Sequence, residues 1–261
     1  MKHEITADSN ELFDVSKMEP CEFLIWDSKF FNRRIARVLA HRLDQDLVLD
    51  IQRWCKIHEI ECLYFLADSD HVETIRLAEE HEFNFVDIRV SLQCNLKENR
   101  LGFRNNQDQT VLVRPSCTED ILTLQAIAKS SYDLSRYYFD PNFSRQLCDT
   151  FYETWIKNSC QGYADIVLVA EKDKTPVGYI TCHLSKDSCA SRIGLVGVDM
   201  KVRGCGVGYM LVSHALHWLA EHGINVVNVV TQGRNIQALR LYQKFDFWPD
   251  SVRLWYHKWT I

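Results

Sequence analysis

Apolar and polar positions along this chain follow two rhythms, one of period two and one near 3.6, and they alternate in blocks. In the second half, Val111–Pro115, Ile166–Glu171, Val177–Leu184 and Ser191–Asp199 are short apolar or alternating runs that predict four strands. Ser116 or Thr118 is the expected cap of a helix reaching about Ser130, with Glu119 and Asp120 in its first turn. A second helix ends near Asn158, and the aromatic segment Ser131–Asp140 between the two is irregular. A Gly-rich turn then precedes an apolar stripe at Leu211, Leu216 and Leu219. An apolar run over 225–230, a helix carrying Asn235 and Tyr242, and a final alternating strand over 254–259 complete the pattern. In the first half, residues 1–20 read as weakly ordered, Phe23 to Ile25 begin a strand, and Trp26, Phe30 and Phe31 read as core anchors.

Residues 48–92 repeat the pattern of 212–256 without a gap, 164 positions apart. Trp54 falls on Trp218, His58 on His222, Ile60 on Ile224, Phe83 on Phe247 and Arg89 on Arg253. Both copies read helix, strand, helix, strand, the early one with a strand over Cys62–Ala67, a helix over Val72–Glu82 and a strand over Val86–Leu92. This register favours an internal duplication. The polar stretch 93–110 is the expected boundary, giving an N-terminal domain over 1–100 and a second domain over 111–261. The early copy has no glycines before its first helix, His71 where the later copy has Asn235, and Ala78 where it has Tyr242. It is therefore expected to be a degenerate half that packs against the other and shapes its pocket.

The chemistry concentrates in Arg203-Gly204-Cys205-Gly206-Val207-Gly208. Glycines just before a helix let backbone N–H groups crowd around an anion, and the helix dipole favours negative charge there. An ATP-binding P-loop would need Lys-Ser or Lys-Thr after the glycines, and none follows. A dinucleotide-binding turn would need a third glycine where Met210 and Leu211 stand. The run instead matches the [Q/R]-x-x-G-x-[G/A] loop of the GNAT superfamily of acyl-CoA-dependent N-acyltransferases. Asn235, Ala238, Leu241, Tyr242, Phe245 and Phe247 resemble that superfamily's N-x-x-A-x-x-L-Y-x-x-x-G-F helix. Asp246 departs from the pattern at the usual glycine, at a helix end where Asp tolerates the left-handed conformation. The order of elements over 111–261 is also that of a GNAT domain, so the chain resembles an α/β GNAT acyl-CoA N-acyltransferase fold with a degenerate GNAT-like N-terminal half. The run Trp26-Asp27-Ser28-Lys29-Phe30-Phe31 looks like the N-terminal domain of sugar-nucleotide acetyltransferases of the dTDP-fucosamine type.

The resemblance implies acetyl-CoA as cosubstrate and a set of roles. The loop from Arg203 through Gly204, Cys205, Gly206, Val207 and Gly208 would hold the pyrophosphate. Val198 and Met200 would offer the strand edge to the pantetheine arm, and Asn235 would bond that arm or fix its helix start. Tyr242 would act as the general acid at the departing thiolate. A phenol titrates near 10 and a thiol near 8.5, so full transfer from an ordinary tyrosine is uphill by about 2 kcal/mol, and a hydrogen bond that strengthens as charge develops would suffice. Glu153, Asp165, His183 and Asp199 are candidates for the base, directly or through water. Arg136, Tyr137 and Tyr138 are candidates for the acceptor, since aromatic faces stack on sugars or bases and arginine pairs with phosphate.

Composition narrows the partners. The chain has 261 residues, 46% hydrophobic and 25% charged, with a net charge of −5, which argues against nucleic acid. The first residues lack the form of a signal peptide, and no apolar run approaches a membrane span. Ten scattered cysteines without a C-x-x-C pair exclude a zinc ribbon and point to a reducing, cytoplasmic setting with no metal site. Cys205 is either a reactive thiol at a helix N-terminus or a small residue tolerated in a tight turn. The expected partner is a small-molecule amine, most specifically on a nucleotide sugar of the dTDP-4-amino-4,6-dideoxyhexose type. A protein N-terminus, a polyamine or an antibiotic amine are the alternative acceptors, and a catalytically silent acyl-CoA sensor is the alternative class. The oligomeric state stays open, a homodimer included.

Overall fold

A computed structural model describes residues 19–97, 110–185 and 190–260. The reading of residues 1–20, and most of the 93–110 boundary, lie outside them. One ten-stranded sheet runs through both halves. The first half supplies β1 (Cys21–Phe23), β2 (Ile35–Val38), β3 (Cys62–Asp68) and β4 (Asn84–Asn95). The second supplies β5 (Val111–Pro115), β6 (Ile166–Lys172), β7 (Thr175–Leu184), β8 (Ala190–Val198), β9 (Val226–Gln232) and β10 (Trp248–Trp259). The order across the sheet is β1-β2-β3-β10-β4-β9-β8-β7-β6-β5.

The helices are α1 (Ile25–Phe31), α2 (Gln45–Ile57), α3 (Val72–Glu80), α4 (Ile121–Lys129), α5 (Arg145–Asn158), α6 (Val207–Glu221) and α7 (Ile236–Gln243). Strand alternation decides which face each covers. Leu168, Ala170, Ile180 and Cys182 point into a core with Leu211, Ala215 and Leu216 of α6. Their neighbours Val167, Val169 and Tyr179 point the other way, into a core with Leu124 of α4 and Phe151 and Ile156 of α5. In the first half, Leu63 and Phe65 pack with Val48 and Ile51 of α2 and Leu77 of α3.

The 164-residue repeat is matched element by element. β3 and β9 begin and end at equivalent positions, as do β4 and β10, and α3 and α7 begin together. His71 caps α3 by accepting from Thr74 N–H, and Asn235 caps α7 by accepting from Ala238 N–H at 3.1 Å. Pairing extends the match: Arg253 opposes Asp68 across β10 and β3, and its counterpart Arg89 opposes Gln232 across β4 and β9. Arg89 and Arg253 oppose each other across β4 and β10, on the pseudo-twofold axis between the halves. The last strand of each half is thus paired into the other half.

Three expectations change. The strand expected to begin at Phe23 instead ends there, and Ile25 opens α1, which holds the Trp26–Phe31 run. Phe31 is buried there, but Trp26 is exposed and stacks on Phe30 at 5.3 Å. The helix expected from Ser116 or Thr118 is capped instead at Cys117, whose N–H donates to Asp120 Oδ2 at 2.8 Å, through a 3-10 turn that leads into α4. Asn95, placed in the linker by composition, still belongs to β4, where it pairs with Val226.

Candidate active site

β8 and β9 run parallel only from Ala190 beside Val226 to Ile193 beside Val229. Beyond that point the strands part, β8 continuing to Val198 and β9 to Gln232. On its other side β8 carries a bulge: Gly194 and Leu195 both oppose Thr181, and Leu195 N–H donates to Thr181 Oγ1 at 2.8 Å. The splay opens a cleft of about 1670 Å³ between the two strands. Val198, Arg203, Gly204, Gly206, Val207 and Gly208 stand at one end of its wall, with Asn235 and Tyr242 from α7.

The loop leaves open space at a helix N-terminus. Gly204 and Gly206 have φ of 82° and 87°, which only glycine takes without strain, and a Cβ on either would meet no protein atom within 4 Å. The open space lies at the N-terminus of α6, where unpaired N–H groups collect. Gly208 has a different role: its Cβ would lie 3.3 Å from Leu241, so its smallness lets α6 approach α7 beside Tyr242. Arg203 ties the loop down, Nε donating to Val198 O at 3.2 Å and Nη2 to Ser130 O at 2.9 Å.

Tyr242 is 4% exposed and packs on Phe247 at 5.5 Å. Among the described residues no group bonds its hydroxyl. Burial, with a smaller push from Cys182, holds the phenol well above its ordinary value. Asp246 ends this segment at φ 54°, the left-handed conformation expected there.

Two of the four candidate bases line the cleft and two do not. Asp165 does, accepting from Leu184 N–H at 2.7 Å. His183 does too, its imidazole so close to the bulge that a Cβ on Gly194 would lie 2.7 Å from Nε2. Burial, then the charge of Arg192, lowers its pKa, so the ring is neutral at neutral pH. Glu153 instead lies 4.0 Å from Lys129, and Asp199 accepts from Lys201 N–H, both off the cleft wall.

Other placements differ from the sequence reading. Met200 is not on a strand edge: β8 ends at Val198, and Met200 is 63% exposed on the following 3-10 turn. Cys205 is exposed and off the cleft wall. Arg136 and Tyr137 line the cleft, whereas Tyr138 turns away to donate to Asp149 at 2.6 Å. Residues not picked out as site residues also reach the cleft, among them Trp155, Tyr163, Arg192 and, from β4 of the first half, Asp87 and Arg89. Arg89 had a signal in the repeat, through its alignment with Arg253.

Residues 129–247 match the Acetyltransferase (GNAT) family. The chain therefore has the GNAT fold, with residues 129–247 the stretch that matches the GNAT acetyltransferase domain. It is similar to the spore coat polysaccharide biosynthesis protein SpsD of Bacillus subtilis (strain 168), 28% identical over 56% of this chain and 48% of that protein. It is also similar to the dTDP-fucosamine acetyltransferase of Escherichia coli O6:H1, 28% identical over 53% of this chain and 59% of that one. The chain thus spans about half the length of these curated relatives. A solved GCN5-related N-acetyltransferase from Sphaerobacter thermophilus superposes with a TM-score of 0.63 over 92% of this chain and 76% of its own, at 15% identity. No helix among the described residues is long and apolar enough to cross a membrane.

Proposed function

We propose that the protein is an acetyl-CoA-dependent N-acetyltransferase whose acceptor is the primary amine of a nucleotide-linked amino sugar, of the dTDP-4-amino-4,6-dideoxyhexose type. The observation that carries the transferase reading is the splayed cleft: a glycine loop with open space at the helix N-terminus and, on the same wall, a buried tyrosine ring whose hydroxyl has no protein partner among the described residues. The acceptor reading draws on the names of two relatives, a spore coat polysaccharide protein and a dTDP-fucosamine acetyltransferase.

In this reading the loop and the N-terminus of α6 hold the pyrophosphate, and the edges of β8 and β9 freed by the splay receive the pantetheine arm. Acetyl-CoA supplies an activated acyl group on sulfur. The amine nitrogen bonds to the acyl carbon as the carbon–sulfur bond breaks, the ammonium proton goes to the chain, and a proton reaches the sulfur. Tyr242 presents its O–H to the sulfur. Its raised pKa keeps it protonated, so its contribution is a hydrogen bond that strengthens as negative charge grows. His183 is the better placed of the two cleft bases, because its neutral ring lies against the bulge at Gly194. Strand exchange makes the first half part of the cleft wall through β4, and we read that half as the degenerate domain of a duplicated pair.

The test is thiol release from acetyl-CoA against a panel of dTDP-amino sugars, polyamines and peptides. Release with a 4-amino sugar nucleotide alone supports the proposal. Release with peptides or polyamines alone overturns the acceptor, and acetyl-CoA binding without release to any amine favours the sensor.

A further inference from the structure

The two arginines on the pseudo-twofold axis have opposite fates. Arg253 opposes Asp68 in the sheet and donates to it, Nε to Oδ1, at 2.9 Å. Its counterpart Arg89 opposes Gln232, which stands where the repeat would place that carboxylate. The Arg89 side chain makes no hydrogen bond or ion pair among the described residues, and its Nε is buried without a partner. It lines the cleft together with Gln232.

The surroundings of Arg89 deepen the imbalance. Burial and then the charges of Arg136, Arg253, Arg37 and Arg192 all act against its positive charge. Arg37 and Arg253 are balanced by Glu22 and Asp68. Arg136 and Arg192 line the same cleft as Arg89. Arg136 stacks over Trp255 at 4.0 Å and Tyr64 at 4.5 Å, donates from Nη2 to Tyr137 Oη at 2.8 Å, and leaves its own Nε buried and unbonded, with the charges of Asp27 and Asp87 acting on it but neither bonded to it. The buried carboxylate on this wall, Asp87, is 3.4 Å from Arg234. A desolvated guanidinium without a counter-charge is costly, and a bound anion is what relieves it.

We propose that Arg89, with Arg136 and Arg192, forms a subsite for a phosphate group on the acceptor, so that the acceptor is a phosphate-bearing amine whose anionic end docks on the first half of the chain. This rests on the cleft being an acyltransferase site. Guanidinium forks suit phosphate oxygens, and a di-anion would pair with unbonded N–H groups already in place. The exchange of β4 into the second half gives the degenerate copy its role here: it lacks the glycine cradle but brings a cation to the acceptor end.

The experiment is calorimetric titration of the full chain with dTDP, with CoA saturating so that the glycine loop is filled. The wild-type chain binds dTDP, and Arg89→Gln weakens it by about 10- to 100-fold, the range for losing hydrogen bonds to a charged group. Gln232→Asp weakens it similarly, by giving Arg89 the carboxylate that Arg253 has. It also decides the matter should Arg89→Gln fail to fold, with CoA affinity as the check on folding. Unchanged dTDP affinity in the folded variants, or a wild-type chain that binds CoA but not dTDP, overturns the subsite alone. A chain that binds no CoA overturns the reading of the cleft and the subsite with it.

Discussion

Replacing Tyr242 by phenylalanine separates a catalytic hydroxyl from a structural one, and the structure predicts a fall in turnover with stability unchanged. The ring is 4% exposed and packs on Phe247, so it stays in place in the variant. Its hydroxyl has no protein partner among the described residues, so removing it orphans no other group. The hydroxyl lies on the cleft wall and is not among the enclosed unpartnered atoms, so its removal relieves no desolvated group. The variant is therefore expected to be as stable as the wild type to within about 0.5 kcal/mol, a midpoint shift of about 1–2 °C. Turnover falls: loss of the hydrogen bond donated to the developing thiolate lowers kcat by about 10²–10³-fold. Because burial holds the phenol above its ordinary value, Tyr242 does not ionise as pH rises through 10, and the wild-type rate shows no alkaline limb from this group. The assay is single-turnover thiol release beside acetyl-CoA affinity and thermal unfolding. An unchanged kcat refutes the catalytic role, and a midpoint lowered by several degrees refutes the unpartnered hydroxyl.

Three other outcomes follow from named contacts. Gly197→Ala places a Cβ 2.7 Å from the fully buried Tyr179 ring, and thermal unfolding is expected to show a loss of about 1–3 kcal/mol from overpacking. Asp120 is held at about 2, chiefly by Arg114, so its folded pKa lies below the ordinary 3.8. The carboxylate then contributes about 2 kcal/mol of stability, present above that ordinary value and lost as pH falls through about 2, and Asp120→Asn removes it at neutral pH and flattens denaturant-derived stability across that window. His183→Gln lowers kcat by about 10²–10⁴-fold and erases the acid limb of the rate profile, which in the wild type lies below the usual imidazole range; a variant that keeps the limb assigns it to another group.

Much of the second half was legible because its signals are local. The glycine loop, the cap at Asn235 and the left-handed turn at Asp246 are each set by a few neighbouring residues, and the structure places them where the sequence does. The repeat was legible because apolar periodicity fixes element length and face. Short elements were not. Seven residues over Ile25–Phe31 hold too few turns to display a helical period, so adjacent aromatics hid α1. The cap at Cys117 is masked in the sequence by the serine and threonine beside it, and only Asp120, three residues later and reaching back to its N–H, marks it. Met200 and Tyr138 were misplaced by proximity in sequence, which says nothing of where a strand stops or which way a ring turns.

Strand partnership is the level at which sequence pattern is silent, and the site depends on it. Periodicity identifies β4 and β10 as the last strands of two similar units but leaves each free to close its own sheet. The observed pairing puts β4 between β9 and β10, and β10 between β3 and β4. Had each strand closed its own half, Arg89 would oppose Asp68, the residue that Arg253 now takes, and both arginine positions would change partners together. Exchange instead gives the acid to Arg253 and leaves Arg89 facing Gln232 and the cleft. The positive charge at the proposed acceptor subsite is therefore a product of topology acting on an imperfect repeat: one substitution between copies and one swap of strands turn a structural ion pair into an unpaired cation. The same logic explains how a half without a glycine cradle or a counterpart of Tyr242 remains part of the cleft, since β9 is paired on one side by β8 and on the other by β4.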